Sequence, residues 1–162
     1  LRTERLTLRP FAQSDLDAYA AIVADPEVTR FLGDGRPLSR ADAWRQMAMI
    51  VGHWSLLGFG LWAVEHTNTG ILMGRIGCQQ PEGFPAFEIA YTLGKAFWRQ
   101  GYAREGAAAA LAYARETLHR NDIVSIIRPA NAGSIRVARS LGATLDGEVE
   151  FFGAPSSLYR YP

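Results

Sequence analysis

The sequence has 162 residues, enough for one hydrophobic core and, by expectation, one domain over 1–162. Apolar residues make up 48% and charged residues 20%, which excludes an intrinsically disordered chain. Seventeen basic residues against 16 acidic leave a net charge of +1, so nothing in bulk charge calls for nucleic acid or an anionic membrane, and an anionic ligand needs a local cluster of donors.

The opening run RLTLRPF (5–11) alternates until Pro10 and reads as a strand. Ser14 is a good N-cap for a helix over 15–24, with Asp17 favourable in its first turn, and Asp25-Pro26 ends it. Ser39 opens a second helix to about Leu57, with Ala43, Met47, Ile50, Val51 and Trp54 on one side, before Gly58 and Gly60 break it. GLWAVEH (60–66) and ILMGRIGC (71–78) read as hairpin strands around a turn at 67–70. Residues 81–85 form a loop, and FEIAYTL (87–93) is a strand. A long Ala-rich helix is predicted over 101–119 and a strand over 122–128. A short helix over 131–141 stops at the C-cap Gly142, and ATLDGEVEFF (143–152) and SSLYRYP (156–162) supply the last two strands. Consecutive strands imply antiparallel pairing, while the strand–helix–strand unit from Phe87 to Arg128 implies one parallel pair with a right-handed crossover. The expected fold class is therefore α/β: a mixed sheet with helices on its faces.

The one cysteine, Cys78, excludes an internal disulfide and fits a reducing, cytoplasmic compartment. Within ILMGRIGC it is expected to be a small core residue. No apolar run approaches the ~18 residues of a membrane span, and the start lacks both a signal-peptide pattern and a Met, as if a few residues were missing. His53, His66 and His119 lack metal-ligand spacing, so no metal is expected.

The chemically informative stretch is LGKAFWRQGYAREG (93–106). A strand ends, a loop follows and a helix begins near Gly101, so free N–H groups and the positive helix end suit a phosphate. Gly101 permits close approach, Ala103 keeps the same face small, and Arg99 and Arg104 add positive charge at the rim. Glycines at 94, 101 and 106 do not fit the G-x-G-x-x-G spacing, and the Gly-Lys-Ser/Thr end of a P-loop is missing.

The run EIAYTLGKAFWRQGYAREGAAAALAYA resembles the acyl-CoA-binding motif of GNAT acetyltransferases, written Arg/Gln-x-x-Gly-x-Gly/Ala. Gly101 and Ala103 fill its last two fixed places, while Trp98 departs from the first, as in the branch resembling ribosomal-protein N-terminal acetyltransferases. RPANAGSIRVARSLGATLDGE (128–148) is similar to that branch's second signature, and RLTLRPF to its first strand. The resemblance implies a mostly antiparallel sheet with one splayed parallel pair. It implies acetyl-CoA as cosubstrate, with its pyrophosphate on the amides of Gln100, Gly101, Tyr102, Ala103 and Arg104. The pantetheine arm would lie along Tyr91, Thr92 and Leu93, with Asn131 reaching cofactor or substrate.

An amine attacking a thioester must be neutral, so a base is useful. Glu88 matches the glutamate often found at that place in the branch, the alternative being a surface carboxylate paired with an Arg. Ser134 is a candidate hydrogen-bond donor to the leaving thiolate, against a helix-side serine supporting its loop, with Tyr159 and Tyr161 as competing donors. Phe31, Trp44, Trp54, Phe59 and Phe84 read as packing residues, some able to wall an acceptor pocket, and Asp25, Glu27 and Asp34 as groups able to hold a cationic substrate. The implied activity is N-acetyl transfer to a primary amine, either a small molecule or a protein N-terminus, by a monomer or homodimer. A non-catalytic acyl-CoA-binding module and an unrelated phosphate-binding protein are the alternatives.

Overall fold

The computed structural model describes residues 1–162. Strand β1 (Leu6–Arg9) is followed by helices α1 (Leu16–Val23), α2 (Pro26–Thr29) and α3 (Arg40–Leu57). Three consecutive strands come next: β2 (Leu61–His66), β3 (Leu72–Gln79) and β4 (Phe87–Leu93). Helix α4 (Tyr102–Glu116), strand β5 (Ile123–Ile127), helix α5 (Ala132–Ser140) and strands β6 (Thr144–Phe151) and β7 (Ala154–Arg160) complete the chain. The seven strands form one sheet in the order β1-β2-β3-β4-β5-β7-β6, antiparallel throughout except for β4 and β5.

Side-chain alternation divides each central strand between two core layers. Met73, Ile76 and Cys78 of β3 join Phe87, Ile89 and Ile123 beneath α4 and α5. Helix α4 lies close to the sheet because Gly106, Ala107, Ala110 and Ala114 make its buried stripe small. Cys78 is fully buried there, as expected of a small core residue, and burial pushes its thiol up to about 12. On the other face, α1 and α3 cover Leu61, Ala63 and Leu72 through Tyr19, Val23, Ala43, Met47 and Ile50. No helix is long and apolar enough to cross a membrane.

Several predicted boundaries move for physical reasons. Ser14 does not cap α1. It lies in a short 3₁₀ turn over Gln13–Asp15, where the Asp15 carboxylate accepts the Ala12 N–H at 2.8 Å and pairs with Arg9 at 2.7 Å. Asp25 does not simply stop the chain, because its carboxylate accepts the Glu27 N–H at 2.8 Å and opens the one-turn α2 with Pro26 at its first position. Ser39 caps α3 as predicted, accepting the Asp42 N–H at 3.1 Å, and Gly58 ends α3 at φ 75°. Val51 is the error in the α3 face: it is 48% exposed. At about 100° per residue, positions 43, 47, 50 and 54 fall within about 60° of one another, and 51 lies about 40° beyond their edge, at the solvent flank.

Candidate functional site

A cavity of about 310 Å³ opens between the α1–α3 face of the sheet and the β6–β7 turn. Its floor follows from register. Gln79 faces Glu88, Gly77 faces Ala90 and Arg75 faces Thr92 across β3 and β4, so these six residues share one sheet face. The small pair Gly77 and Ala90 in the middle leaves space between the longer side chains.

Glu88 on that floor is only 6% exposed. Its carboxylate accepts the Gln79 side-chain amide at 2.8 Å and the Ile126 backbone N–H at 3.2 Å. Burial pushes the carboxyl up to about 7, opposed by those two hydrogen bonds and by the charge of Arg75. The surface-carboxylate alternative is thereby excluded: no arginine pairs with Glu88.

The second half of β4 parts from β5. Parallel pairing holds only at Phe87 with Ile123 and Glu88 with Val124. Beyond that point side chains replace the missing ladder. The Glu88 carboxylate takes the Ile126 amide, and the Ser125 hydroxyl donates to the Ile89 carbonyl at 2.6 Å. By strand alternation the amide and carbonyl of Tyr91 point into the same gap as that Ile89 carbonyl. Ser125 and the Tyr161 hydroxyl lie 2.9 Å apart behind it. Burial raises the Tyr161 hydroxyl above its ordinary value and the Tyr91 hydroxyl further still.

Tyr91 donates to the Ser134 carbonyl at 2.9 Å and so ties β4 to the start of α5. Asn131 caps α5 by accepting the Ser134 N–H at 3.1 Å through its side-chain oxygen, which leaves its amide nitrogen free. The Ser134 hydroxyl lies within reach of the Tyr91 hydroxyl. Glu88, Tyr91, Thr92, Asn131 and Ser134 all line the one cavity. Tyr159 does not; it is 4% exposed in the core.

The remaining predicted residues gather at the far end of β4. Leu93 is buried in the core and its carbonyl accepts the Trp98 indole N–H at 2.7 Å, so its side chain and carbonyl are both committed. That bond is the role of the tryptophan that departs from the expected motif. Arg99 at φ 60° and Gly101 at φ 86° fold the chain back into α4. Gly101 is the N-cap rather than the first helical residue, and only glycine adopts its conformation without strain. The amides of Gln100, Gly101, Tyr102, Ala103 and Arg104 donate to no backbone carbonyl, and the first to do so is that of Glu105. Arg99, Gln100, Gly101 and Arg104 are exposed there, with Tyr102 and Ala103 half-buried. The turn is thus open to solvent with five free donors at the positive end of a 15-residue helix, an arrangement that fits a pyrophosphate.

Of the packing aromatics, Phe31 and Phe84 line the cavity, Trp54 and Phe59 pack against the core, and Trp44 is 49% exposed. Phe84 meets Phe151 edge-on at 4.8 Å at the mouth. Of the three acidic candidates only Asp34 reaches the cavity; Asp25 caps α2 and Glu27 pairs with Lys95 at 3.2 Å. Sequence reasoning passed over Arg75 and Gln79, although both follow from the β3–β4 register once the strands are paired. It also passed over Arg5, whose guanidinium binds the Gln100 carbonyl at 3.0 Å and lies over the Tyr102 ring at 4.4 Å. No group of three or more His, Cys, Asp or Glu side chains is arranged to hold a metal.

Residues 5–144 match the family model described as acetyltransferase (GNAT) domain. A protein of Bacillus licheniformis named N-acetyltransferase p20 is 30% identical over 151 residues, covering 91% of this chain and 83% of that one. The crystal structure of an acetyltransferase from Agrobacterium tumefaciens superposes with a TM-score of 0.88 at 35% identity, over 100% of this chain and 93% of that one. An acetyltransferase from Salmonella typhimurium, described with acetyl-CoA, shares the fold at a TM-score of 0.71 and 20% identity, over 96% and 91% of the two chains.

Proposed function

The chain belongs to the GNAT acetyltransferase family, and we propose from there that it moves the acetyl group of acetyl-CoA directly onto a primary amine, with Glu88 as the base. As an acetyl-CoA-dependent acyltransferase it draws on a thioester for the activated acyl carbon. The observation that carries the proposal is the buried Glu88 carboxyl, pushed up to about 7 on the floor of a cavity that meets the β4–β5 gap. A base with that pKa is about half deprotonated at neutral pH and still basic enough to take a proton from an ammonium or attacking amine.

Each remaining part has a residue to serve it. The five free amides from Gln100 to Arg104 suit the pyrophosphate, and the unpaired backbone edge at Tyr91 suits the amides of the pantetheine arm. The Tyr91 N–H is the donor facing the gap for charge developing on the thioester oxygen. As nitrogen bonds to the acyl carbon, Glu88 accepts its proton, directly or through water. The C–S bond then breaks, and the Ser134 hydroxyl donates a hydrogen bond to the departing sulfur. Acceptors in scope are protein N-termini and small amines.

Thiol release from acetyl-CoA, measured across a set of small amines and N-terminal peptides, tests the proposal. Amine-dependent release with acetylated product is the expected result. Tight acetyl-CoA binding without release on any acceptor would make the chain a binding module instead.

A further inference from the structure

Five charged side chains line the cavity: Asp34, Arg36, Arg75, Glu88 and Arg128. Four have evident occupations. Arg128 is spent on the carbonyls of Gly33 and Ala154 and on Ser156. Asp34 and Arg36 pair loosely at 3.8 Å, with side chains 69% and 85% exposed. Glu88 is held by Gln79 and Ile126. Arg75 makes no hydrogen bond and no ion pair, although it is half-buried in the middle of the sheet between Ala63 and Thr92. The Tyr19 hydroxyl of α1, which feels the charge of Arg75, is itself committed, donating to Gln46 at 2.6 Å. A half-buried guanidinium with no acceptor is costly to keep, and a planar fork of donors is suited to a carboxylate.

Position gives that carboxylate a place in the reaction. Arg75 is opposite Thr92, four residues along β4 from Glu88, or about 13 Å of strand. The two side chains rise from the same sheet face and both line the cavity, and the charge of Arg75 is felt by the Glu88 carboxyl. At the mouth, Phe84 and Phe151 present an apolar wall. We propose that the acceptor is an amino-acid-class molecule, an amine carrying a carboxylate a few bonds away on an apolar body, and that Arg75 binds this carboxylate while the amine faces Glu88. The inference rests on Glu88 marking the site of acetyl transfer. Arg75 is then the specificity-determining residue: the amine nitrogen is acetylated and the carboxylate leaves unchanged.

The test compares apolar amino acids with the primary amines left when the carboxyl group is removed, with the amino-acid methyl esters, and with N-terminal peptides, reading kcat/KM by thiol release. Wild-type protein is expected to favour the free amino acids by roughly 100-fold, mainly through KM, the scale of a bidentate charged contact. Arg75→Gln should remove that advantage, read as the ratio of free amino acid to descarboxy amine within one variant so that any shift of the Glu88 carboxyl cancels, while leaving acetyl-CoA affinity by calorimetry intact, and Arg75→Lys should restore part of it. If esters, descarboxy amines or peptides are acetylated as well as the free amino acids, the acetyltransferase reading stands and the role of Arg75 is overturned. Persistence of the amino-acid preference in Arg75→Gln overturns it equally. Failure of every amine to release CoA from bound acetyl-CoA overturns both, and the wild-type comparison decides the matter even if the variants fold poorly.

Discussion

Burial of Glu88 sets its pKa, and the role proposed for it follows from that shift. Taken from water, its carboxyl is pushed up to about 7, while Gln79 and the Ile126 amide keep the charged form accessible. Activity that depends on its ionised form should rise with pH through about 7 in the kcat/KM profile of the free enzyme. Glu88→Gln is expected to remove that limb and lower kcat/KM by ~10²–10⁴ with little effect on acetyl-CoA affinity. A variant profile matching wild type in shape and rate would reduce Glu88 to a structural group. The leaving-group assignment is separable at the same scale. Ser134 lines the cavity wall, whereas Tyr161 is 2% exposed and engaged with Ser125. A serine hydroxyl is a poor acid, so Ser134→Ala should cost about tenfold in kcat, the scale of one hydrogen bond to developing charge. Tyr161→Phe should alter stability more than turnover. A 100-fold loss of kcat in Tyr161→Phe with CoA binding intact would transfer the role to the tyrosine, a threshold near 2.7 kcal/mol of barrier.

At the scale of elements, two departures from regular structure make the site. The first is the parting of β4 and β5 after Glu88 and Val124. It opens backbone groups of β4 that a regular parallel pair would consume, and it makes Glu88 and Ser125 substitute for ladder partners. The second is the reversal at Arg99 and Gly101, both at positive φ, which turns five free amides outward at the start of α4. Gly101→Val tests the turn. Its Cβ would meet the Arg5 guanidinium at 3.2 Å, and its backbone would be strained at φ +86°. CoA affinity by calorimetry should fall at least ~10-fold, about 1.4 kcal/mol, in protein shown to be folded by circular dichroism. Unchanged affinity would move the pyrophosphate elsewhere.

For the molecule as a whole, Glu88 makes folding stability depend on pH. Its native carboxyl titrates near 7 against an ordinary value of 4.5, so the unfolded chain ionises first as pH rises. The native state therefore loses stability across that window, by about 3 kcal/mol once pH exceeds 7, and loses nothing from this group below pH 4.5. Chemical denaturation should find Glu88→Gln gaining on wild type by about 2 kcal/mol more at pH 8 than at pH 5. A stability difference that stays constant with pH would mean the native carboxyl is not shifted. Much of this architecture was legible in the chain itself. Strand alternation, the Gly58 cap, the small stripe of α4 and the Gly101 turn are local, because hydrophobic period, capping chemistry and backbone freedom act over a few residues. They were enough for the order of the seven strands and the longer helices, for the parallel pair and for the turn at Gly101, though not for the one-turn α2. Three things were decided only in tertiary structure. Ser14 lost its cap because Asp15 was recruited by Arg9 and Ala12. Glu88 became a buried carboxyl rather than a surface charge because Gln79 and Ile126 closed around it. Arg75 acquired its place because register across β3 and β4 set it on the cavity floor with no carboxylate beside it. Burial and charge pairing depend on which strands lie side by side, and that is a property of the assembled sheet rather than of any one segment.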